Sequence, residues 1–576
     1  MTHPHMKARR PTGRTADHRT RPQPRILAGH ALAQAALCSL IVGASPPARA
    51  VRIDTEVPDL QLRWDNTIKL SGMARLDRRA DGLSTTRFGP SGIVGPNNIN
   101  QDDGDNNFGR GLVSSRLDLL SEADVGWRDV GARLSAAAWY DPVYRRRNDN
   151  TTTTSNQSPS DRFADETRRV MGGDAELLDA FVWGRTEIGG HRLSARAGRH
   201  TLLWGESLFF GANGVAGGMA PMDLVKLLSV PNSQFKETAR PTGKLSAQLA
   251  LSEDVSLGAF IGYEWEKTQL MPAGAYLSGS DSMGPGAERI SAGATGTFSR
   301  RADQTPGDGG QYGLQLRWNA PDLDTQFGLY ALRWHATTPS NIVTTMAGTP
   351  GALSADSYQW LYHRGIETLG FSAARTVGAW SLAAELSWRR NAPLASAGQT
   401  AIPAIGVGSG WNNDEATPYA VGETAHAQFS WIASLGPNAI AQESSFVGEI
   451  AFNTRLKTTR NAAMLNPNAD RSATGVRMVW TPTYRQALPG LDLSPSVGAG
   501  WTWGKSSAVG PGFGVDRGGD LSLGLSATYL GGWTAALSYV RYLGPEGAVL
   551  DNANNAQFTQ ALKDRDFLSL SLRSSF

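Results

Sequence analysis

Apolar and polar residues alternate one by one along many short segments of this chain. In residues 255–265 the odd positions are apolar or aromatic, whereas the even positions include Ser256 and Glu264. Residues 312–318 and 380–388 show the same alternation. A period of two places successive side chains on opposite faces of a β-strand. One apolar face and one mixed polar face are typical of a transmembrane barrel, with lipid outside and water inside.

The connections between these segments alternate in length. The short ones consist of turn residues, and they lie at 128–129, 189–190, 252–254, 321–324, 377–378, 436–438, 488–490 and 531–532. The intervening connections are mostly long and polar, for example 80–110, 141–173, 272–310, 337–357 and 391–419. Outer-membrane barrels have this asymmetry, with short periplasmic turns and long extracellular loops. We therefore predict an all-β fold, an antiparallel transmembrane barrel of about 18 strands (about 14 to 20) with both ends in the periplasm.

The N-terminal 50 residues have the composition of a cleaved signal peptide. A basic stretch is followed by an apolar stretch at 26–44 and by Ala48-x-Ala50, the small-x-small pattern that signal peptidase accepts. The apolar stretch is too short for a stable membrane anchor. Cys38, the only cysteine, follows Leu37, so lipidation is not expected. We predict a signal peptide at 1–50 and one barrel domain at 51–576, which then contains no cysteine.

The end of the chain also indicates the outer membrane of a Gram-negative bacterium. Leu568, Leu570, Leu572 and Phe576 share one face of the last predicted strand. A terminal Phe resembles the strand that the barrel-assembly machinery reads. The expected surroundings of the barrel are therefore outer-membrane lipid.

Net charge gives no support for nucleic-acid binding. The whole chain carries a formal charge of +3, with 55 basic and 52 acidic residues. The predicted leader contains 8 of the basic and 1 of the acidic residues, so the remaining chain has a net charge of −4. The basic isoelectric point therefore comes from the leader, and no nucleic-acid partner is expected.

Residues 205–243 are apolar but do not alternate. Pro221 suits a helix start, Asp223 suits a first turn, and Pro231 ends the helix. We predict a glycine-rich loop carrying a short helix in or over the lumen, as a plug, a constriction or an apolar patch. The alternative is an extracellular loop that packs on its neighbours. The candidate residues, including one apolar face of three leucines, are Phe209, Phe210, Met219, Pro221, Met222, Asp223, Leu224, Leu227 and Leu228.

Charged residues at the polar positions of the strands are predicted to face the lumen. They carry both signs, which fits salt-bridge networks inside the wall as well as an ion path. The candidates are Arg116, Asp118, Glu122, Asp124, Asp179, Arg185, Arg196, Glu264 and Glu266.

Several motifs resemble one known family across nearly the whole predicted domain. They are 102–108, 115–120, 138–144, 198–201, 204–211, 217–218, 220–223, 229–232, 234–237 and 263–268. They are similar to the domain-of-unknown-function 1302 family, uncharacterised outer-membrane proteins of Gram-negative bacteria. The resemblance implies the handling of hydrophobic compounds, alongside a resistance-nodulation-division exporter and a periplasmic lipoprotein-like partner. It implies no catalytic residues.

No enzyme motif stands out, and no catalytic, cofactor-binding or metal-ligating residue is predicted. A Gly-x-Ser-x-Gly elbow and a His-Glu-x-x-His pair are both absent. His200 with Glu206 and Ser207 is the best enzyme candidate. The acidic run at 102–105 resembles a loose calcium loop without the full spacing, so a solvated loop is expected.

Three functions remain open from the sequence. The leading hypothesis is an outer-membrane channel for small hydrophobic or amphipathic molecules, because an apolar element in a lumen would favour such solutes. One alternative is an outer-membrane enzyme acting on lipids or esters. Another is a structural partner of a trans-envelope lipid transport system.

Overall fold

The computed structural model describes residues 51–53, 55–83, 87–89, 92–94, 100–551, 553 and 555–576. The predicted signal peptide lies outside these residues and stays a prediction. No helix in the described ranges is long and apolar enough to cross a membrane.

Eighteen antiparallel strands form a closed ring, in which each strand pairs with its neighbours along the chain. They are β1 Leu60–Arg75, β2 Gly111–Trp127, β3 Val130–Tyr140, β4 Gly173–Ile188, β5 His191–His200, β6 Thr242–Ala250, β7 Val255–Gly262, β8 Gln311–Ala320, β9 Thr325–Trp334, β10 Ile366–Val377, β11 Trp380–Pro393, β12 Val421–Leu435, β13 Glu443–Arg460, β14 Ser472–Leu488, β15 Leu491–Trp503, β16 Gly518–Tyr529, β17 Trp533–Leu543 and β18 Phe567–Ser575. The prediction of an 18-stranded barrel is confirmed.

The ring closes between β18 and β1. Phe567 lies opposite Arg75, and Ser575 lies opposite Thr67. Two backbone hydrogen bonds of 2.8 and 2.9 Å then join Asn66 and Phe576. A closed ring satisfies the backbone groups of every strand, which is what a wall surrounded by lipid requires.

Eight short turns lie at one end of the barrel and nine longer connections at the other. Each of the eight predicted turns overlaps one of these short turns. We name the longer connections L1 to L9, and they span 76–110, 141–172, 201–241, 263–310, 335–365, 394–420, 461–471, 504–517 and 544–566.

The alternation of the sequence separates the two faces of the wall. Leu386 is 56% exposed on the outside, whereas the preceding Glu385 is 2% exposed on the inside. Leu570 and Ser571 show the same contrast on β18. A slip of one residue in register would turn Glu385 towards lipid, so burial fixes the pairing of the strands.

The long connections contain more regular structure than the sequence predicts. Four short helices are α1 Asp103–Asn106, α2 Asp165–Gly172, α3 Leu224–Ser229 and α4 Phe235–Thr238. Residues 337–357 were predicted only as a long polar connection, and two antiparallel strands, Asn341–Thr349 and Ala352–Leu361, occupy most of them. These strands belong to a five-stranded sheet formed by L4, L5 and L6.

The loops share a core of their own. Phe108, Tyr144, Phe163 and Tyr276 from L1, L2 and L4 are buried together, and their ring centroids lie 5.0 to 5.7 Å apart. Residues 102–105 contact this core and are buried. The prediction of a solvated acidic loop at 102–105 is therefore wrong.

Candidate functional site

L3 extends from one wall of the barrel to the opposite one. Its first half contacts inward-facing side chains of β10 to β13, and its second half contacts those of β1, β2 and β4. In a ring of 18 strands, β2 and β11 are nine positions apart and face each other. L3 therefore lies inside the lumen and crosses it.

Two buried glutamates hold the first half of L3. One carboxylate oxygen of Glu449 accepts hydrogen bonds from the backbone N–H groups of Leu208, Phe209 and Phe210, with distances of 3.1 and 2.9 Å to the first and last nitrogens. Glu385 accepts from the backbone nitrogens of Glu206 and Val215, each at 2.7 Å. Hydrogen bonds to a carboxylate are about twice as strong as neutral ones.

Arg389 and Asn213 complete the attachment to this wall. The Arg389 guanidinium donates to the carbonyl oxygens of Ala212, Asn213 and Gly214 at 2.8 to 3.0 Å. The side-chain oxygen of Asn213 accepts a hydrogen bond from Asn453 and contacts a ring nitrogen of His426, both at 3.1 Å. In residues 206–215, the backbone N–H groups therefore donate to glutamate carboxylates, and the backbone carbonyl oxygens accept from an arginine.

An apolar cluster holds both ends of this segment. Trp204 and Met219 of L3 pack against Phe260 of β7 and against Tyr330 and Trp334 of β9. The ring centroids of Trp204 and Phe260 lie 5.3 Å apart in an edge-to-face arrangement, which favours aromatic pairs. Apolar side chains inside a barrel lumen are unusual, and here they hold the loop to the wall.

Helix α3 lies in the second half of L3, where the sequence predicts it. The carboxylate of Asp223 caps the helix by accepting from the Lys226 nitrogen at 2.9 Å. Val225 is buried against the rest of the structure, whereas Leu227 and Leu228 of the predicted apolar face are 52% and 48% exposed. The lysine of this helix, Lys226, pairs with Glu176 of β4 at 2.6 Å.

Ion pairs attach the rest of the second half. Arg240 pairs with Glu176 at 3.0 Å, and Lys236 contacts Glu122 of β2. Lys69 of β1 lies 3.6 Å from Glu237. Burial raises the pKa of Asp223, which the positive charges of Lys226 and Arg240 partly offset.

The predicted lumen charges fall into three groups. Arg116 and Asp118 form a buried pair at 2.8 Å. Glu122, Asp124 and Asp179 surround Arg133, which the sequence analysis did not select. Arg185 and Arg196 lie over the rings of Trp183 and Phe181, at 5.1 and 5.7 Å from the centroids.

Glu264 and Glu266 lie beyond the end of β7, in L4 rather than on the predicted strand. Both pair with Arg199 at the end of β5, and Glu266 also pairs with Arg240 of L3 at 3.3 Å. They therefore connect L3 and L4 to the rim of the wall at the end where the long connections lie.

The other predicted L3 residues divide between the two halves. Phe209 and Phe210 belong to the segment that Glu449 holds, and the Phe210 ring lies 5.4 Å from that of Phe513. Pro221 is buried beside the helix, and Met222 forms an isolated β-bridge with Ala239. Leu224 begins α3, and its backbone nitrogen donates to Gln269 of L4 at 2.9 Å.

Sequence reasoning missed the strand residues that hold the first half of L3. Glu385, Arg389 and Glu449 were not among the selected charges. The signal was present, because Glu449 is flanked by Gly448 and Ile450 on a strand with few charges around it. An isolated acid at an inward position indicates a specific acceptor role.

Two cavities lie beside L3. One has a volume of about 500 Å³, and it is lined by Phe181, Trp183, Arg185, Arg196 and Phe235, among others. The other has a volume of about 580 Å³ and lies between L3 residues 205–208 and the turn-side halves of β8 to β12. Each is large enough for a small organic molecule.

The best enzyme candidate of the sequence does not form a site. The ring nitrogens of His200 contact Ser246 at 2.7 Å and the Gly198 carbonyl at 3.0 Å. Glu206 lies instead against Ser372 and Ser430 on the other wall. Residues that are close in the sequence are thus separated by the course of L3.

Comparisons with known proteins give matches to solved structures and to one family. Comparison with curated proteins finds no match. Acinetobacter baumannii OccAB1 is 11% identical with a TM-score of 0.41, over 92% of this chain and 99% of that one. The outer-membrane channel DcaP of the same organism is 9% identical with a TM-score of 0.37, over 91% and 100%. Pseudomonas aeruginosa OpdK, solved with vanillate, is 10% identical with a TM-score of 0.38, over 89% and 98%.

Residues 31–576 match the family described as protein of unknown function (DUF1302), as the sequence motifs predicted. The chain belongs to this family.

Proposed function

We propose that the protein is an outer-membrane channel in which L3 forms a constriction, and that small hydrophobic or amphipathic molecules pass beside it. The observation that carries the proposal is the attachment of L3 to two opposite walls, with one cavity beside residues 205–208 and another beside residues 235–239. A loop held across a lumen divides a wide pore into narrow passages, and such passages select their solutes.

The apolar side chains that L3 leaves exposed support a preference for hydrophobic solutes. Leu208, Phe209, Leu227, Leu228 and Phe235 are each between 37% and 61% exposed. Exposed apolar groups lower the cost of moving an apolar solute out of water.

The cavity of about 500 Å³ adds a polar component. Its aromatic side chains, Phe181, Trp183 and Phe235, lie beside the cationic groups of Arg185 and Arg196. The acidic residues of the lining, Asp124 and Asp179, pair with Arg133. This lining matches an amphipathic molecule with an apolar body and an anionic group. The membrane in question is the outer one of a Gram-negative bacterium, because the wall combines an apolar outer face with short turns at one end only.

A double substitution in α3 tests the proposal. We expect Leu227→Ser with Leu228→Ser to slow the entry of a hydrophobic solute into proteoliposomes by about fivefold, since about 1 kcal/mol of apolar contact is lost. Entry of a small sugar should not fall, and thermal stability should not change, because both side chains are already exposed. Leu323→Ser, in an exposed turn, is the matched control. Equal entry of the hydrophobic solute through both variants would contradict the proposal.

A further inference from the structure

Three loops meet at a group of buried carboxylates that the proposed channel does not use. Asp102 and Asp103 come from L1 and Asp281 comes from L4, and none is more than 2% exposed. One carboxylate oxygen from each residue can be chosen so that all three lie within 4.8 Å of one another. Asn150 and Asn156 of L2 donate hydrogen bonds to the Asp103 carboxylate at 3.1 and 2.9 Å.

Two nearby arginines pair with other carboxylates, and a third, Arg289, donates to the backbone carbonyl of Asn156. Arg75 pairs with Asp105 at 2.7 Å and with Asp564 at 2.9 Å. Arg565 lies 3.8 Å from Asp105, and its Nη1 donates to backbone carbonyl oxygens of L4. Within the described part of the chain, no Lys, Arg or His forms an ion pair with Asp103 or Asp281. Buried carboxylates without a counter-charge are costly in free energy.

One carboxylate oxygen in the group is left without a partner. Asp281 Oδ2 accepts from the Asp103 backbone nitrogen at 3.1 Å. Its other oxygen, Oδ1, is buried and has no hydrogen-bond partner among the described residues. A buried acceptor oxygen in this position is a ligand atom that a cation can use.

We propose that Asp102, Asp103 and Asp281 bind one calcium ion. Calcium takes six to eight oxygen ligands at about 2.3 to 2.6 Å, so two of its ligands can be about 5 Å apart. The three oxygens lie within 4.8 Å of one another, which is inside that limit. Calcium also accepts irregular sets of oxygen ligands, whereas magnesium demands near-ideal octahedral geometry. A cation here joins L1 to L4, and Asp103 extends the connection to L2.

The backbone around the site is already tightly packed. A Cβ at Gly104 would lie 2.6 Å from the carbonyl oxygens of both Ala275 and Ser278. L1 and L4 are therefore in close contact next to the three aspartates, so the ion would need little rearrangement to bind. The extracellular side of an outer membrane is also where free calcium is plentiful enough for a site of about 10⁻⁴ to 10⁻³ M affinity.

Calorimetric titration of calcium into the folded barrel, in a neutral detergent after removal of metal with a chelator, tests the proposal. We expect one ion per chain, and a higher midpoint of thermal unfolding with calcium than with the chelator. Asp281→Asn should weaken binding at least about tenfold, since a charged ligand is lost. The new amide oxygen can still accept a hydrogen bond from the Asp103 backbone nitrogen, so we expect the variant to fold. Retained heat-modifiable mobility on a gel will show that it has folded.

Asp165→Asn is the control, because the Asp165 side chain is 95% exposed on α2. It should bind calcium as the unsubstituted protein does. Absence of calcium binding by the unsubstituted protein, or the same affinity in the Asp281→Asn variant, overturns the proposal. Stronger binding of magnesium than of calcium overturns the choice of ion.

Discussion

At the scale of single residues, the inward-facing acids of the wall have specific tasks. Glu449 receives three backbone N–H groups of L3 at one oxygen, and Glu385 receives two. A carboxylate suits this role because both of its oxygens accept hydrogen bonds. A side-chain amide has one accepting oxygen, and its NH₂ group can only donate. The start of L3 should therefore depend on charge at these two positions.

We expect Glu449→Gln to loosen the first half of L3, because a charge-assisted set of hydrogen bonds is replaced by neutral ones. The expected loss is about 2 kcal/mol of unfolding free energy. Denaturant unfolding in detergent measures this loss, and single-channel recording should show a noisier open current.

Glu367→Gln is the control for that substitution. Glu367 pairs with Arg390 on the exposed rim of the barrel, and an exposed ion pair contributes at most about 1 kcal/mol. Equal effects of the two substitutions would mean that Glu449 has no special role in holding L3.

Alternation in the sequence was enough to predict which side chains face inward, but not what they contact. Arg116 and Asp118 contact each other across two positions of one strand, which is a local relation. Glu385 contacts residues about 170 to 180 positions earlier in the chain. No periodicity relates residues so far apart, so the partners of Glu385 could only be found from the structure.

At the scale of elements, L3 has a backbone that passes very close to the wall. A Cβ at Gly214 would lie 2.6 Å from Gln428 Nε2 and 2.9 Å from Glu385 Oε1. Its backbone is extended, with φ of −84°, so only the close approach requires glycine here. Gly211, three residues earlier, has no atom within 4 Å of the same position.

These two glycines provide a matched pair of substitutions. We expect Gly214→Ala to displace the side-chain ends of Gln428 and Glu385, to weaken the hydrogen bonds of Glu385 to L3, and to lower stability by about 1 kcal/mol. Gly211→Ala should be neutral or slightly stabilising, because it only restricts the unfolded chain. Thermal unfolding of the two variants checks both expectations, and similar midpoints would rule out tight seating of the loop.

The helices of L3 show where prediction from the sequence stops. The position of α3 followed from Pro221, Asp223 and Pro231, which act locally. Its buried face did not, because a helix of six residues is held by its cap and by Lys226 rather than by an apolar stripe. The hairpin at 341–361 was missed for a related reason, since its strands lie in the loop sheet and lack a lipid-facing apolar side.

At the scale of the whole molecule, the wall and L3 are structurally separable. The count of 18 strands was predictable because the same hairpin pattern repeats and each strand pairs with its sequence neighbour. β5 and β6 pair directly with each other from Leu193 opposite Leu249 to His200 opposite Thr242. L3 leaves and re-enters the wall at that last pair, so it contributes no strand to the ring.

Replacing residues 202–240 with a short Gly-Ser linker should therefore leave a folded barrel. The inward charges that L3 covers, including Glu385 and Glu449, would then be solvated by water in the lumen. We expect heat-modifiable mobility to be retained and single-channel conductance to rise severalfold, because the passage would widen from two narrow gaps to an open pore. If the shortened chain fails to fold, the double variant Glu385→Gln with Glu449→Gln tests whether L3 limits the conductance. It weakens the attachment of L3 to the wall without removing the loop. A folded barrel with unchanged conductance in either variant would show that the channel is limited elsewhere, in the loops that cover its outer mouth.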